Sequence, residues 1–508
     1  MNTFDDLAKL DEIMPGVSAA YMSLRSREGR GLYTSRGRFF NKAIFGRDAA
    51  MSAKFVADFD HEATVETIKQ LIAFQGVEYN PKTQEQPGRI HHEWRDFRLW
   101  QGKLFDHLPF YALRNKWDIR HHELLSYYSL DTTAAFVRMV HKYALRIDRS
   151  ILEREVKDKN GETITVGLAV ERAADWIEAH IDDNGWLTDR RQRTFSLPIQ
   201  TFQDSLYTRS DGSLIDLTGP VAYIEVQAYA ADSLHSAAEM LLHHDKSELW
   251  RATAEKLHRH MITDFRLADG GYSSVIDKDG LVDVPNVSMG WMMNIFLWRG
   301  MTDDEREHYI KPIVEKLFSE EFLTNVGLRT RAKSAISPLK DAIDYHGSET
   351  VWPMFSFMVV EGLRRHRMYD LAEQLENRII NGLNASGNFE EFHVVRRSGE
   401  LVLPGKSSRS ISIQMKPEQM IGFSVVPSLV LARRAVNPPQ RKHQAEWQGR
   451  LEKDILSRIS HIERVESSLA RESVGVVKQR RFRRWSAGLK TSWYFWGQRS
   501  RVSLREER

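Results

Sequence analysis

Residues 351–385 read VWPMFSFMVVEGLRRHRMYDLAEQLENRIINGLNA. The first part, VWPMFSFMVVEGL, is apolar on most sides of a helix, and such a helix is buried all round. The second, LAEQLENRII, carries charge on one face only, as a helix does when it packs one side and wets the other. Almost nothing separates them, and so short a link makes two helices antiparallel neighbours. A buried helix backed by an amphipathic one is the unit from which the rest of the chain is read.

The unit recurs. AYIEVQAYAADSLHSAAEMLLHH (222–244) is followed after a few residues by SELWRATAEKLHRHMITDF. SMGWMMNIFLW is apolar throughout, and EREHYIKPIVEKLF after it is amphipathic. Helical periodicity places helices near 49–58, 62–76, 131–147, 168–182, 221–243, 247–263, 288–298, 302–319, 351–367, 368–384, 418–435 and 442–471. Alternation of the two types points to inner and outer rings of a closed helical toroid. An open stack would need a fixed repeat, and the sequence has none. FRLADGGYSSVIDKDGLVDVP reads as a small hairpin, SILEREVKDKNGETIT as a solvated insertion, and VEYNPKTQEQPGRIHHEWRDF as a long polar connection of the kind that is functional or disordered. AVNPPQRKHQ breaks the helical pattern, so one large domain is expected over 1–435, with an appendage over 436–508.

Composition narrows the chemistry. With 508 residues, 42% of them hydrophobic, the chain is a folded globular protein. It has no cysteine, which excludes disulfides, thiolate metal ligands and cysteine nucleophiles. The beginning, MNTFDDLAKLDEIMPG, lacks the apolar core of a signal peptide, and no stretch is long and apolar enough for a membrane span; a cytoplasmic location is expected. The net charge is +3, but Lys478 to Arg508 holds ten basic residues against two glutamates. The body is therefore mildly acidic and gives no nucleic-acid footprint.

Acids and aromatics gather at helix boundaries. FGRDAA (45–50) sets Arg47 and Asp48 before a helix. Asp48 is either an N-cap beside a surface arginine or half of a clamp on adjacent sugar hydroxyls. PGRIHHEWRD (87–96) contains two histidines and Glu93, without the spacing of a zinc motif, so no metal is expected. Asp131 in SLDTTAAFV (129–137) reads as a helix cap. Glu225 lies in an apolar helix and needs either an arginine or a polar cavity. DYHGSETVWPMF (344–355) offers His346 and Trp352; the tryptophan is either core or a platform for a sugar ring. In PIQTFQDSLYTRSDG (198–212), Asp204 follows Phe202 and Gln203, and in GNFEEFHVV (387–395) Glu390 and Glu391 lie between phenylalanines. Two-carboxylate glycoside hydrolysis needs one acid kept protonated and one carboxylate ionised. Aromatic surroundings raise a carboxyl pKa by desolvation, which suits Asp204 to the acid role.

The order of these stretches resembles the amylo-α-1,6-glucosidase family, the glucosidase part of glycogen-debranching proteins, among the six-hairpin glycosidases. The likeness is carried by FGRDAAMS, IAFQGVEYNPKTQEQPGRIHHEWR, YYSLDTTAAFV, NGWLT, QTFQDSLYTRSDGS, IEVQAYAADSL, VPNVSMGWMM, VGLRT, YHGSETVWP, GNFEEF and PEQMIGF, in that order over about residues 40 to 435. It implies an all-α (α/α)6 toroid with a few short β-hairpins in loops, and cleavage of an α-linked glucosyl saccharide with inversion and without a cofactor. It implies Asp204 as general acid and Glu391 as the water-activating base, with Glu390 the rival one residue away. Arg47 and Asp48 would hold the terminal sugar, with Glu93, His346 and Trp352 lining the pocket. Phe202 and Gln203 stand where the family has Trp and Lys, beside the innermost subsites, so they too are candidate substrate contacts. Other readings are a same-fold hydrolase of another α-glycoside, such as a mannoside or trehalose, and a carbohydrate-binding protein without chemistry. The tail KQRRFRRWSAGLKTSWYFWGQRSR falls outside the likeness. Its interleaved basic and aromatic residues fit either contact with an anionic surface or membrane or an extra helix with a solvated charged face.

Overall fold

A computed structural model describes residues 7–37, 40–98, 119–120, 122–189, 199–203, 205–283, 285–295, 300–339, 342–402 and 416–477. The chain forms two compact units, Met1–His443 and Gln444–Arg508. Within the second, helix Glu446–Val477 is the described element. The rest of the basic tail, from Lys478, lies outside the described residues.

The first unit is mostly helical. Its helices are α1 (Leu7–Ile13), α2 (Val17–Leu24), α3 (Gly46–Val56), α4 (His61–Ala73), α5 (Thr132–Arg146), α6 (Val166–Ala179), α7 (Ile224–Met240), α8 (Ser247–Asp264), α9 (Asp303–Leu317), α10 (Pro353–Arg365), α11 (Tyr369–Ser386) and α12 (Gly422–Val436). A 3₁₀ segment, Val287–Asn294, takes the place expected of a helix over 288–298. The Asn286 side chain accepts the Ser288 N–H at its start, and Ile295 is already extended. Local chemistry sets several other starts. Asp60 accepts the Ala63 N–H ahead of α4, Thr165 caps α6, and Thr302 with Glu305 forms a capping box on α9. Pro353 opens α10, where its missing N–H costs nothing.

Neighbour relations follow the paired pattern. α3 packs on α5, α5 on α7, α7 on the 3₁₀ segment, that segment on α10, α10 on α12, and α12 on α3. Each has a second partner that follows it in sequence: α4, α6, α8, α9 and α11 respectively for the first five. For α12 the partners are α1 and α2, from the other end of the chain. These two short helices were not expected from periodicity, and they hold the place that 442–471 would have filled in the count of twelve. The apolar character of the first set is visible in α10, where every residue from Pro353 to Val360 is buried.

Two loop expectations change. The 150–165 insertion is a 3₁₀ turn followed by a hairpin, Glu155–Lys157 against Thr163–Thr165, with Ile151, Val156 and Ile164 buried. The long polar connection before Glu93 is exposed at Glu78, Tyr79, Pro81 and Lys82 and turns inward after them, with Gln84, Glu85, Arg89, His91 and His92 buried. Burial holds His91 at about 3 and His92 well below the usual histidine range, so both are neutral. No cluster of metal-ligating side chains exists among the described residues. The hairpin in the Gly-rich loop is present, Val275–Asp277 against Gly280–Val282. No helix among the described residues is long and apolar enough to cross a membrane.

Candidate functional site

The starts of the helices in the first set bring charge together. Gly46 begins α3 so close to a neighbouring loop that an added Cβ would lie 2.2 Å from the His91 carbonyl and 2.7 Å from Thr132. That contact packs the first turn, with Arg47 and Asp48, against the start of α5. Arg47 Nη1 donates to the Thr201 carbonyl (2.8 Å) and lies 3.4 Å from Asp131 Oδ2, while its Nε is 3.5 Å from Asp48 Oδ1. Its guanidinium sits over the Phe202 ring at 4.8 Å. Arg47 is therefore no surface charge. Asp48 is not a cap either, since the cap position is Phe45 and no side chain caps it. Asp131 stands at the cap position of α5 but makes no capping bond; its carboxylate serves Arg47 and the Ser129 hydroxyl. Burial raises the Asp131 pKa against the pull of Arg47 and Ser129.

A second group is built from two segments lying side by side. The Glu391 N–H donates to the Glu418 carbonyl (2.8 Å), and the Met420 N–H to the Asn388 carbonyl (3.2 Å). Glu391 Oε1 accepts the Tyr345 hydroxyl at 2.6 Å, and Oε2 accepts the Glu418 N–H at 3.2 Å. Glu418 Oε1 accepts from the Ser35 hydroxyl at 3.0 Å. Both carboxylates are buried, at 3% and 2% exposure. Burial pushes Glu391 up to about 8, and the charges of Glu418 and Asp48 add to the rise, against hydrogen bonds from Tyr345 and the Glu418 backbone. Glu391 and Glu418 thus lie side by side, and the charge of Asp48 reaches Glu391. Strain marks the same place: Phe389 and Met420 hold left-handed backbones, with φ of 47° and 52°, a conformation costing bulky residues about 1–3 kcal/mol and concentrated at functional sites. Glu390 is buried as well, and burial raises its pKa. Its carbonyl takes the Ser424 hydroxyl.

Strand Thr350–Val351 pairs with His393–Val394 and so ties the start of α10 to the glutamate loop. Trp352 lies there in a stack with His346 (4.6 Å between centroids), Phe355 (5.0 Å) and Phe392 (5.4 Å). Its Nε1 donates to the Tyr345 carbonyl. At 3% exposure it is a core residue in this arrangement, with protein rings against it rather than open face for a sugar. His346 meets the Ser205 hydroxyl at 3.2 Å through Nδ1. Burial first, then Arg331 and Arg47, holds it well below the usual histidine range, so its imidazole is neutral. Glu93 pairs with Arg95 at 2.6 Å, and its strand register opposite Phe45 puts it next to the start of α3.

Asp204 lies outside the described residues, but the chain on both sides of it is fastened. Gln203 Oε1 accepts from Asn286 Nδ2 at 3.0 Å and from the Tyr207 hydroxyl at 3.3 Å. Phe202 packs on Tyr229 and Trp291. On the other side, Arg331 Nη2 donates to the Ser205 carbonyl (3.3 Å) while Nη1 pairs with buried Asp344 at 3.1 Å. Phe202 and Gln203 are thus held inside the protein. Glu225 is met by a hydroxyl rather than an arginine among the described residues; its Oε1 accepts the Thr201 hydroxyl at 3.1 Å.

Sequence reasoning missed Glu418, Asp131 as a ligand of Arg47, and Tyr345. Glu418 sits in PEQMIGF, one of the stretches that carried the likeness, and it lies just before a helix start, as Asp48 and Glu225 lie just after one.

No family model and no curated protein matches the chain. Solved structures do match it. A single-substitution variant of a glycosidase in complex with glucose is 11% identical, with 86% of this chain and 99% of that one covered and a TM-score of 0.52. A GH63 mannosylglycerate hydrolase from Thermus thermophilus, in complex with Tris and D-glycerate, is 12% identical, with 83% and 99% covered and a TM-score of 0.51. At such identity the likeness shows the fold, that of six-hairpin glycosidases. It does not single out glycogen-debranching proteins among them.

Proposed function

We propose that the chain is a glycoside hydrolase whose site lies at the starts of six inner helices in a closed (α/α)6 ring, the sixth outer layer being α1 and α2. The observation that carries this is the buried pair Glu391 and Glu418, held side by side by backbone hydrogen bonds, in a fold shared with glycosidases. Buried carboxylates with an arginine held among them suit a polyol whose bond breaks through a cationic transition state. Asp204 is the general acid. Glu391 activates water, with Glu418 beside it, and the ionised Glu391 carboxylate takes the water proton. The substrate class is an α-linked glucoside, cleaved with inversion. A mannoside is the second reading, because one of the matching structures is titled a mannosylglycerate hydrolase.

The test is a panel of α-glucosides and α-mannosides, mannosylglycerate included, followed by NMR of the first anomer released. Turnover of an α-glucoside giving the β-anomer, with Asp204→Asn folded and inactive, is the expected result. Release of the α-anomer would end the inverting assignment, and near-full activity of Asp204→Asn would end the acid assignment.

A further inference from the structure

The chain entering Asp204 is organised by one residue, Thr201, which is itself held by a carboxylate away from solvent. Glu225, 0% exposed in the first turn of α7, accepts the Thr201 hydroxyl proton. That hydroxyl in turn accepts the Gln203 N–H at 3.3 Å, and the Thr201 carbonyl accepts Arg47 Nη1 at 2.8 Å. A threonine hydroxyl has one proton to give and lone pairs to receive. Giving the proton to Glu225 leaves the lone pairs for Gln203 and fixes the side-chain rotamer. Arg47 is tied to the same residue through that carbonyl, alongside its contacts with Asp131 at 3.4 Å and Asp48 at 3.5 Å. The helix places the carboxylate for this: Glu225 follows directly on strand Val221–Tyr223 and the Ile224 N–H donates to the Ser274 carbonyl, so the side chain projects from a fixed start.

We propose that Glu225 is a positioning residue for the hydrolysis proposed above: it holds Thr201 so that Arg47 and the segment leading into Asp204 keep one geometry. It has no exposed surface through which to touch a sugar. Its loss therefore disturbs alignment of the reacting groups and leaves uniform sugar binding intact, which lowers kcat more than it raises KM. Misplacement of about 1 Å costs on the order of 100-fold in rate. The inference rests on the hydrolase reading, and its test keeps the two apart.

Four variants are compared with the wild type: Glu225→Leu and Thr201→Val, which remove one partner of the bond, and Glu225→Gln and Thr201→Ser, which keep an acceptor oxygen and a hydroxyl. The first two should lower kcat by roughly 10- to 100-fold with KM within about 3-fold; the second two should stay within a few-fold of the wild type. Crystal structures of Thr201→Val and Glu225→Leu should show Arg47 and residues 199–203 displaced. Unchanged kcat in both disruptive variants, or a rise confined to KM, overturns the proposal. So does an undisturbed Arg47–Thr201 contact in the crystals, and this readout needs no turnover. If the wild type cleaves no glycoside, the hydrolase reading fails and the crystallographic displacement alone decides whether Glu225 positions the segment.

Discussion

The two ends of the inner helices handle buried charge in opposite ways. At their starts, Glu391 and Glu225 are met by hydroxyls and backbone groups, and burial pushes them up to about 8 and about 7. Further along the helices the acids have arginines. Arg138 and Asp232 form a buried pair, Arg434 bridges Glu361 and Glu376, and Arg364 holds Glu376 through two bonds of 2.8 Å. Burial would raise Asp232, yet Arg138, Arg365 and Lys54 hold it at about 2. Glu361, partly buried, is likewise held below its usual range by Arg434. One end fixes the ring. The other leaves Glu391 and Glu225 on hydroxyl and backbone donors, while Asp48, Asp131 and Glu93 beside them keep an arginine.

The largest effect expected from breaking this contrast is catalytic. Glu391→Gln should cost about 10²–10⁴-fold in kcat, the usual share of a general base, with a thermal melt close to that of the wild type. At the other end, Asp232→Ala strands Arg138 without its partner and should lower unfolding stability by about 3–5 kcal/mol in chemical denaturation.

The pH dependences should oppose each other too. Glu391 and Glu225 bind protons more tightly folded than unfolded, where the ordinary value is 4.5. Their contribution is fully present below 4.5 and lost as pH rises toward about 7 for Glu225 and about 8 for Glu391, at up to ~1.4 kcal/mol per pH unit for each. Glu391→Gln should flatten that slope in denaturation measured from pH 5 to pH 8, roughly the window these shifts define. Asp232 acts the other way: its contribution is present above the ordinary 3.8 and lost as pH falls toward about 2. Glu418→Gln removes a charge that raises Glu391, so if the variant retains measurable turnover the acid limb of kcat/KM should move to lower pH. Smallest of all, Lys142→Ala breaks an exposed pair with Asp58 and should change stability by less than about 1 kcal/mol.

How much of this was legible follows from the range of each interaction. The inner and outer helices were readable because periodicity is local: the pair 351–367 and 368–384 became Pro353–Arg365 and Tyr369–Ser386. α1 and α2 were not, because helices of seven and eight residues give about two turns of signal. Asp131 looked like a cap, since an aspartate before a helix usually is one. A partly buried arginine 84 residues away claimed it instead. Trp352 and Glu225 each carried two readings that only their neighbours could separate.

By itself the sequence determined most of the longer helices, which of them are buried, and which boundaries carry acids. Those properties depend on residues a few positions apart, where spacing alone sets the face. The tertiary structure decided that Glu418 stands beside Glu391, that Arg47 turns inward to Asp131 and Thr201, and that α1 and α2 back α12. Each of these joins residues far apart in the chain. Their proximity, and the pKa shifts that come with it, exist only once the helices have packed.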